Sequence, residues 1–548
     1  MAMKITTLLL LASVRLCVSD DVVLTTKMGE LKGRRLSSGP WSYLDSFKGI
    51  PFAAPPVGSL RFKEPQPAGG WAGTRAADGF FAPCDFIEDC LYLNVYKPTQ
   101  IPPSDASLLP VMVWIYGGGY KTGNTAIYNA EELASKGNVV VVTISYRLGA
   151  LGFLSTLDSA SPGNYGLLDQ ILALKWVKDN IASFQGDPND VTLFGQSAGA
   201  ACVSLLRLSP LAQGLFNKAI MESGVSLGPW AVARPGKDII SPLQFAQSLG
   251  NETGCGAAVL QSNEALVSCL RNVTMDVILG ASDNISNSTQ APIFRPTVET
   301  LLGVIPDDPL RLLTRDAGSN IPSIRGVNRN ENSFLFLQTP VSLFTLATIK
   351  TVAFLFAEEY FPGQSQAVVD RIIAEYITSK NLTTSEQFRD AAIQVMTDFN
   401  FIVPAVLEQR ESVQQSGHAV QYLYEFTYRA THTTIPAWAG VRHGSEVPFV
   451  FGQPFSHDIS FLKLYPYHWT VEDLKMSMNM MTMWTNFAKY GNPTPQSVGG
   501  VSWVPYSLDS QSYLDIGPTL SVKANLAADR VQFWSAILND VGAPILIG

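Results

Sequence analysis

A serine hydroxyl acts as a nucleophile at neutral pH only when the fold exposes it and brings a base to it. The stretch from Val191 to Gly199, Val-Thr-Leu-Phe-Gly-Gln-Ser-Ala-Gly, reads as a buried strand that runs into a turn and then a helix, with Ser197 at the apex. Gly195 and Gly199 flank it at the G-x-S-x-G spacing, where missing side chains let strand and helix close on each other. At ordinary Gly and Ser frequencies a chain of this length contains on the order of 0.2 such matches by chance. This one contains two, the second being Gly224-Val225-Ser226-Leu227-Gly228. Their C-terminal neighbours distinguish the two serines. Small and apolar residues after Ser197 can open a helix against a sheet, whereas Pro229 would break one opening at Ser226. Ser197 is therefore the expected nucleophile, and Ser226 reads as a loop serine.

The nucleophile needs a base and a buried acid to orient it. The histidines are His418, His432, His443, His457 and His468. His443 alone sits in a loop rich in turn residues, Gly440 to Glu446, before the apolar Val447 to Phe451 and after the last candidate core strand. A lone histidine is as readily structural. Glu331 follows a short apolar strand and precedes Phe334-Leu335-Phe336, so it is a carboxylate at a strand end with an apolar cover; a surface carboxylate is the competing reading. The order Ser, acid, His is that of the α/β-hydrolases. An oxyanion developing on the substrate needs preorganised donors. Gly117-Gly118-Gly119 closes a buried strand, and the N–H groups of Gly118, Gly119 and Ala198 would make a three-donor hole.

The elements that must position these groups come in the α/β order. Val22 to Arg34 alternates about Met28-Gly29 as a hairpin does, and Phe47 to Pro67, dense in Pro and Gly, reads as ordered loop. Val111 to Tyr116 and Val139 to Ser145 are continuous apolar runs, as parallel strands covered on both faces require. Asn129 to Lys136 and Gly166 to Phe184 read as helices, and further strands are expected at Lys218 to Met221, Ser323 to Val327 and Val420 to Phe426. No repeat or low-complexity linker divides the chain. One domain from 20 to 548 is expected, with helical insertions at roughly 230 to 320 and 335 to 415.

Composition bounds the function. Apolar residues make up 46% of the chain, enough for a large core; charged residues are only 15%, the net charge is −8, and no Lys/Arg run occurs. Nucleic acid and anionic membranes are poor partners for such a surface. Residues 1 to 19 carry Lys4, the apolar run Ile5 to Ala12 and small residues at Cys17-Val18-Ser19, the pattern of a secretion signal. Val341 to Ala357 is apolar but too short for a membrane span, and reads as a buried or cleft-lining helix. In an oxidising compartment, sequence neighbours Cys84 with Cys90 and Cys255 with Cys269 are the expected pairs, leaving Cys202 as a small buried residue. Sequons at Asn251, Asn272, Asn284, Asn287 and Asn381 agree with secretion and place those segments at the surface.

Taken together, the motifs resemble the type-B carboxylesterases, the family that includes cholinesterases, fungal lipases of the same fold and the non-enzymatic neuroligins. The resemblance rests on Phe47-Lys48-Gly49-Ile50-Pro51 through Leu60-Arg61-Phe62, on Glu88-Asp89-Cys90-Leu91-Tyr92-Leu93-Asn94-Val95, and on Phe184 to Gly199 except at Gln185. Gly326 to Glu331, His443 to Gly452, and Trp484-Thr485-Asn486-Phe487-Ala488 to Asn492-Pro493 extend it over nearly the whole chain. It implies an α/β-hydrolase fold with a large mixed, mostly parallel sheet and helices on both faces. It further implies a Ser197–His443–Glu331 triad, an Arg147–Asp169 ion pair, and ester hydrolysis with no metal or cofactor.

Two departures narrow the expectation. Cys84 to Cys90 encloses five residues where the family carries a long loop, which leaves no room for the choline-binding tryptophan of cholinesterases or a full lipase lid. Gln196 precedes the serine where cholinesterases carry Glu. A lidless or short-lid secreted esterase is expected, acting on small to medium or hydroxycinnamoyl esters, with a long-chain lipase or sterol esterase and a non-catalytic adhesion module as alternatives. Aromatics at Trp230, Phe334, Phe336, Phe344, Phe354 and Phe356 are candidate pocket or core residues, and Met476 to Met483 reads as gap-filling core.

Overall fold

The computed structural model describes residues 20–540 apart from 40–41, 100–107, 236–239, 290–292, 294, 316–317, 319, 416–418, 432 and 457–467. The expected signal segment and His418, His432 and His457 lie outside the described residues.

Thirteen strands form one mixed sheet: β1 (Asp20–Thr26), β2 (Gly29–Gly39), β3 (Ser42–Pro51), β4 (Thr74–Ala76), β5 (Tyr92–Pro98), β6 (Leu109–Ile115), β7 (Val140–Ile144), β8 (Gly186–Gln196), β9 (Lys218–Glu222), β10 (Ser323–Asn328), β11 (Gln421–Phe426), β12 (Ser512–Ile516) and β13 (Leu520–Ala524). The order is β1-β2-β3-β5-β7-β6-β8-β9-β10-β11-β12-β13, with β4 beside β2. From β7 to β12 every neighbouring pair is parallel; the strands outside that block are antiparallel to their neighbours except for β4. The sheet is mostly parallel, with helices on both faces: an α/β-hydrolase fold.

The parallel strands are apolar on both faces because both faces are covered. Val111 to Ile115 and Val140 to Ile144 are buried throughout. Trp114 packs against Phe194 and Phe451, with ring centroids 4.8 and 4.9 Å apart. The helix Val471–Tyr490 opens on a Thr470–Asp473 capping box and ends at Gly491 in the left-handed region. It buries Met476, Met480, Met481 and Met483, the expected gap-filling methionines. Arg147 grips Asp169 through two side-chain bonds of 2.7 and 2.8 Å.

Three expectations from sequence need correction. The segment from Phe47 to Pro67 is not all loop, because β3 runs to Pro51 and pairs with β5 across a register shift between Phe47 and Ile50. The sheet does not end at β11, since β12 and β13 come after the His443 loop. The apolar Val341–Ala357 stretch becomes the helix Leu346–Tyr360, which buries only Ile349, Ala353 and Ala357 and leaves Leu346, Val352, Phe354 and Leu355 exposed at the surface.

Candidate active site

Ser197 stands between β8 and the helix Ala198–Leu208, with φ 58° and ψ −128°. That backbone conformation is strained for a residue with a side chain, and it is held from several sides. A Cβ on Gly199 would lie 2.1 Å from the Ile115 carbonyl oxygen, so only glycine lets the helix approach β6 this closely. The Ser197 N–H donates to the Glu222 carbonyl at 2.8 Å, fixing the turn to the end of β9.

The other expected residues converge on this turn. Glu331 opens a 3₁₀ turn immediately after β10 and is wholly buried. Its Oε1 accepts from the Asn328 N–H at 2.7 Å, and its Oε2 lies 2.6 Å from His443 Nδ1. The His443 N–H donates to the Glu331 carbonyl at 3.2 Å, so main chain and side chain together fix the pair. A carboxylate only accepts, so Nδ1 is the donor of this contact and Nε2 is left for other partners. Phe334 and Phe401 flank the imidazole with ring centroids 5.7 and 5.0 Å away. Among the described residues Ser197 Oγ makes no hydrogen bond, and His443 Nε2 instead faces Gln196 Nε2 at 3.1 Å. His468, the other described histidine, is exposed and lines no part of this site.

Gly118 and Gly119 take φ values of 113° and 62° at the end of β6. A Cβ on Gly118 would meet the Thr122 carbonyl oxygen at 2.0 Å, so the turn requires glycine. Among the described residues neither of these N–H groups has a backbone or side-chain acceptor, which leaves them available to an oxyanion. The Cys84–Cys90 loop braces this turn, since Asp85 Oδ2 accepts from the Gly123 N–H at 3.2 Å. The second disulfide is Cys255–Cys269, and Cys202 is free and buried.

Ser197, His443, Gly118 and Gly119 face a cavity of about 850 Å³. The two helical insertions roof it, one through Trp230 and Arg295, the other through Phe334, Leu335, Tyr360, Met396 and Phe401. None of residues 84–90 reaches it. Of the aromatic residues singled out from sequence, Trp230 and Phe334 line the cavity; Phe336, Phe344, Phe354 and Phe356 do not. Sequence reasoning missed Met396, Asn400 and Phe401. Met396 lies in the α-helix Ser385–Thr397, and Asn400 and Phe401 lie in the π-helical turn Asp398–Ile402 that follows it, a kind of turn with no side-chain signature.

Behind the imidazole lie two more buried carboxyls. Glu446 bonds to Asn328 Nδ2, and Glu222 accepts from Trp484 Nε1 at 2.8 Å. Each also has one oxygen, Glu446 Oε1 and Glu222 Oε2, without a partner among the described residues. Burial, reinforced for Glu222 by Glu446 and for Glu446 by Glu331, pushes both acids above the ordinary carboxyl range.

The profile of the carboxylesterase family matches residues 20–534. The chain belongs to that family. It is 35% identical to a carboxylesterase 5A of Felis catus over 94% of both chains, and 34% identical to a cholinesterase of Mus musculus over 94% of this chain and 86% of that one. It is also 33% identical to neuroligin-3 of Mus musculus, over 94% of this chain and 68% of that one. Membership thus brings in both esterases and a neuroligin, and the site has to separate them.

Proposed function

We propose that this carboxylic-ester hydrolase works through a Ser197–His443–Glu331 triad and an acyl-enzyme. Ser197 Oγ attacks the ester carbonyl as its proton passes to His443 Nε2. Glu331 holds the Nδ1–H and compensates the imidazolium, and the N–H groups of Gly118, Gly119 and Ala198 receive the oxyanion. Nε2–H then protonates the departing alcohol, and a water deprotonated by the same nitrogen releases the acid and restores Ser197. The observation that carries this reading is the 2.6 Å His443–Glu331 contact beside a strained serine and two acceptor-free glycine N–H groups. A neuroligin-like adhesion module would have no use for such an arrangement.

Residues 20–548 act as one domain in this reading, on small to medium or hydroxycinnamoyl esters that a cavity of about 850 Å³ can enclose. Secretion is part of it: all five sequon asparagines are exposed, and two disulfides are formed. One observation favours a second reading, a lipase. Leu335 at the cavity and Leu343, Val352 and Leu355 nearby in sequence are 45 to 59% exposed, an apolar surface suited to long chains.

The test is kcat/KM for nitrophenyl esters from acetyl to palmitoyl, with feruloyl and sinapoyl esters alongside and Ser197→Ala as the blank. A maximum at short chains or hydroxycinnamates, lost in the variant, supports the esterase. A sharp rise above the solubility of long-chain esters selects the lipase, and inactivity on every ester overturns the assignment of Ser197.

A further inference from the structure

The base is held by two neighbours, and only one of them is the acid. Gln196 is the last residue of β8, in register with Glu222 on β9, and it is almost wholly buried. Its Nε2 lies 3.1 Å from His443 Nε2, while Glu331 takes the opposite nitrogen at 2.6 Å. Space for the carboxamide is made by Gly117, where a Cβ would lie 3.1 Å from Gln196 Oε1 and 2.6 Å from the Gln196 carbonyl oxygen.

The chemistry of the contact is asymmetric. With the Nδ1 proton given to Glu331, His443 Nε2 offers only a lone pair, and only a donor can face it. A carboxamide supplies that donor and also carries an acceptor. After a half-turn of its amide it can accept from the Nε2–H of the imidazolium, whereas an ionised glutamate can only accept and methionine offers no donor and only a weakly accepting sulfur. Of the acids around the ring, Glu331 is in contact, while burial drives Glu446 and, beyond it, Glu222 toward the neutral acid, and Arg442 is the adjacent cation in the chain. A neutral side chain at 196 adds no further negative charge.

We infer that Gln196 is a positioning residue for the base: its carboxamide occupies His443 Nε2 in the resting site and yields the ring to Ser197 when an ester fills the cavity. This rests on His443 being the base. It assigns the residue before the nucleophile a role in setting which hydrogen bond, and which charge state, the imidazole holds before substrate arrives.

The test uses full-length protein with ¹⁵N-labelled histidine, the His443 signals being assigned by their loss in His443→Asn. In the unaltered enzyme at neutral pH, Nδ1 should appear protonated and Nε2 unprotonated but hydrogen-bonded. Gln196→Met should keep the tautomer, because Glu331 remains, and move Nε2 toward the position of a free lone pair. Gln196→Glu should protonate Nε2 at pH 7 and shift the acid limb of kcat/KM upward, with about a tenfold loss at pH 7 recovered at higher pH. An unchanged Nε2 signal in Gln196→Met, or an unmoved acid limb in Gln196→Glu, overturns the inference. The nitrogen spectrum needs no ester, so a failed esterase assay and a failed Gln196 assignment can be told apart.

Discussion

The buried acids around Glu408 and those behind His443 are resolved in opposite ways. Around Glu408 the carboxylate is saturated: Oε1 accepts from Ser204 Oγ at 2.7 Å and from Arg325 Nε at 3.2 Å, and Oε2 accepts from Ser226 Oγ at 2.7 Å and the Leu227 N–H at 3.3 Å. Arg207 adds a longer contact of 3.4 Å. Burial alone would raise the Glu408 carboxyl, but Arg325, Arg207 and the two hydroxyls outweigh it and hold the group below its ordinary range. Behind His443 the burial is as complete, yet among the described residues Glu222 and Glu446 make no ion pair with an arginine and keep unpartnered oxygens. They are driven toward the neutral acid. The Glu408 cluster pins Ser226 and so ties the β9–insertion turn to the helix Val403–Gln415. The cluster behind His443 leaves Glu331 as the one carboxylate in contact with the imidazole among the described residues.

The sharpest way to break this comparison is Glu331→Gln. If Glu331 were structural like Glu408, activity would survive in the folded protein. In a triad, the amide would present the wrong tautomer partner to Nδ1, and kcat should fall about 10³- to 10⁴-fold with KM little changed. Steady-state kinetics on a soluble nitrophenyl ester, with near-ultraviolet circular dichroism as the check on folding, reads the outcome.

Glu408→Gln probes the other cluster and should do the reverse. It leaves Arg207 and Arg325, both wholly buried, without a counter-charge, and breaking a buried pair in this way costs about 3–5 kcal/mol. The expected result is a marked fall in the thermal midpoint, with kcat/KM of the folded enzyme within a few-fold of the original. A large kcat defect in folded protein would mean that the two clusters communicate.

How far sequence could foresee these two regions differs for a physical reason. Ser197 is legible because its chemistry, its flanking glycines and its strand–helix context are all local. The β6 and β7 runs are legible because strands buried on both faces have no polar alternation to hide. Glu331 and His443 meet across 112 residues, so the residues alone leave each open and only the joint family resemblance ties them together. Ser226 reads as a loop serine, and it is in a loop, but its partner Glu408 lies 182 residues away and nothing local announces it. Strands β12 and β13 escape a sequence reading because both are only five residues long and are interrupted by Ser512 and Asp515 in one and Ser521 and Lys523 in the other, β13 forming the sheet edge. Gln196 stands out in the sequence only as a departure from cholinesterases; its contact with His443 requires the fold.

The finest test concerns Glu446 and turns on sign. Its folded-state pKa stands above the ordinary 4.5 because burial, reinforced by repulsion from Glu331, disfavours the charge. At a pH between those two values the native protein keeps a proton that the unfolded chain has released, so stability falls as pH rises through the window from about 4.5 toward neutrality. Glu446→Gln is neutral throughout and should flatten that part of the profile. The variant should therefore gain on the parent as pH is raised, seen as a narrowing or reversal of the difference in thermal midpoint between pH 5 and pH 7.5. Glu222 carries a raised pKa of the same origin and should leave a residual slope in the variant. If the parent instead grew more stable across the window relative to Glu446→Gln, Glu446 would be ionised in the folded state, and the pocket behind His443 would hold a second carboxylate beside Glu331.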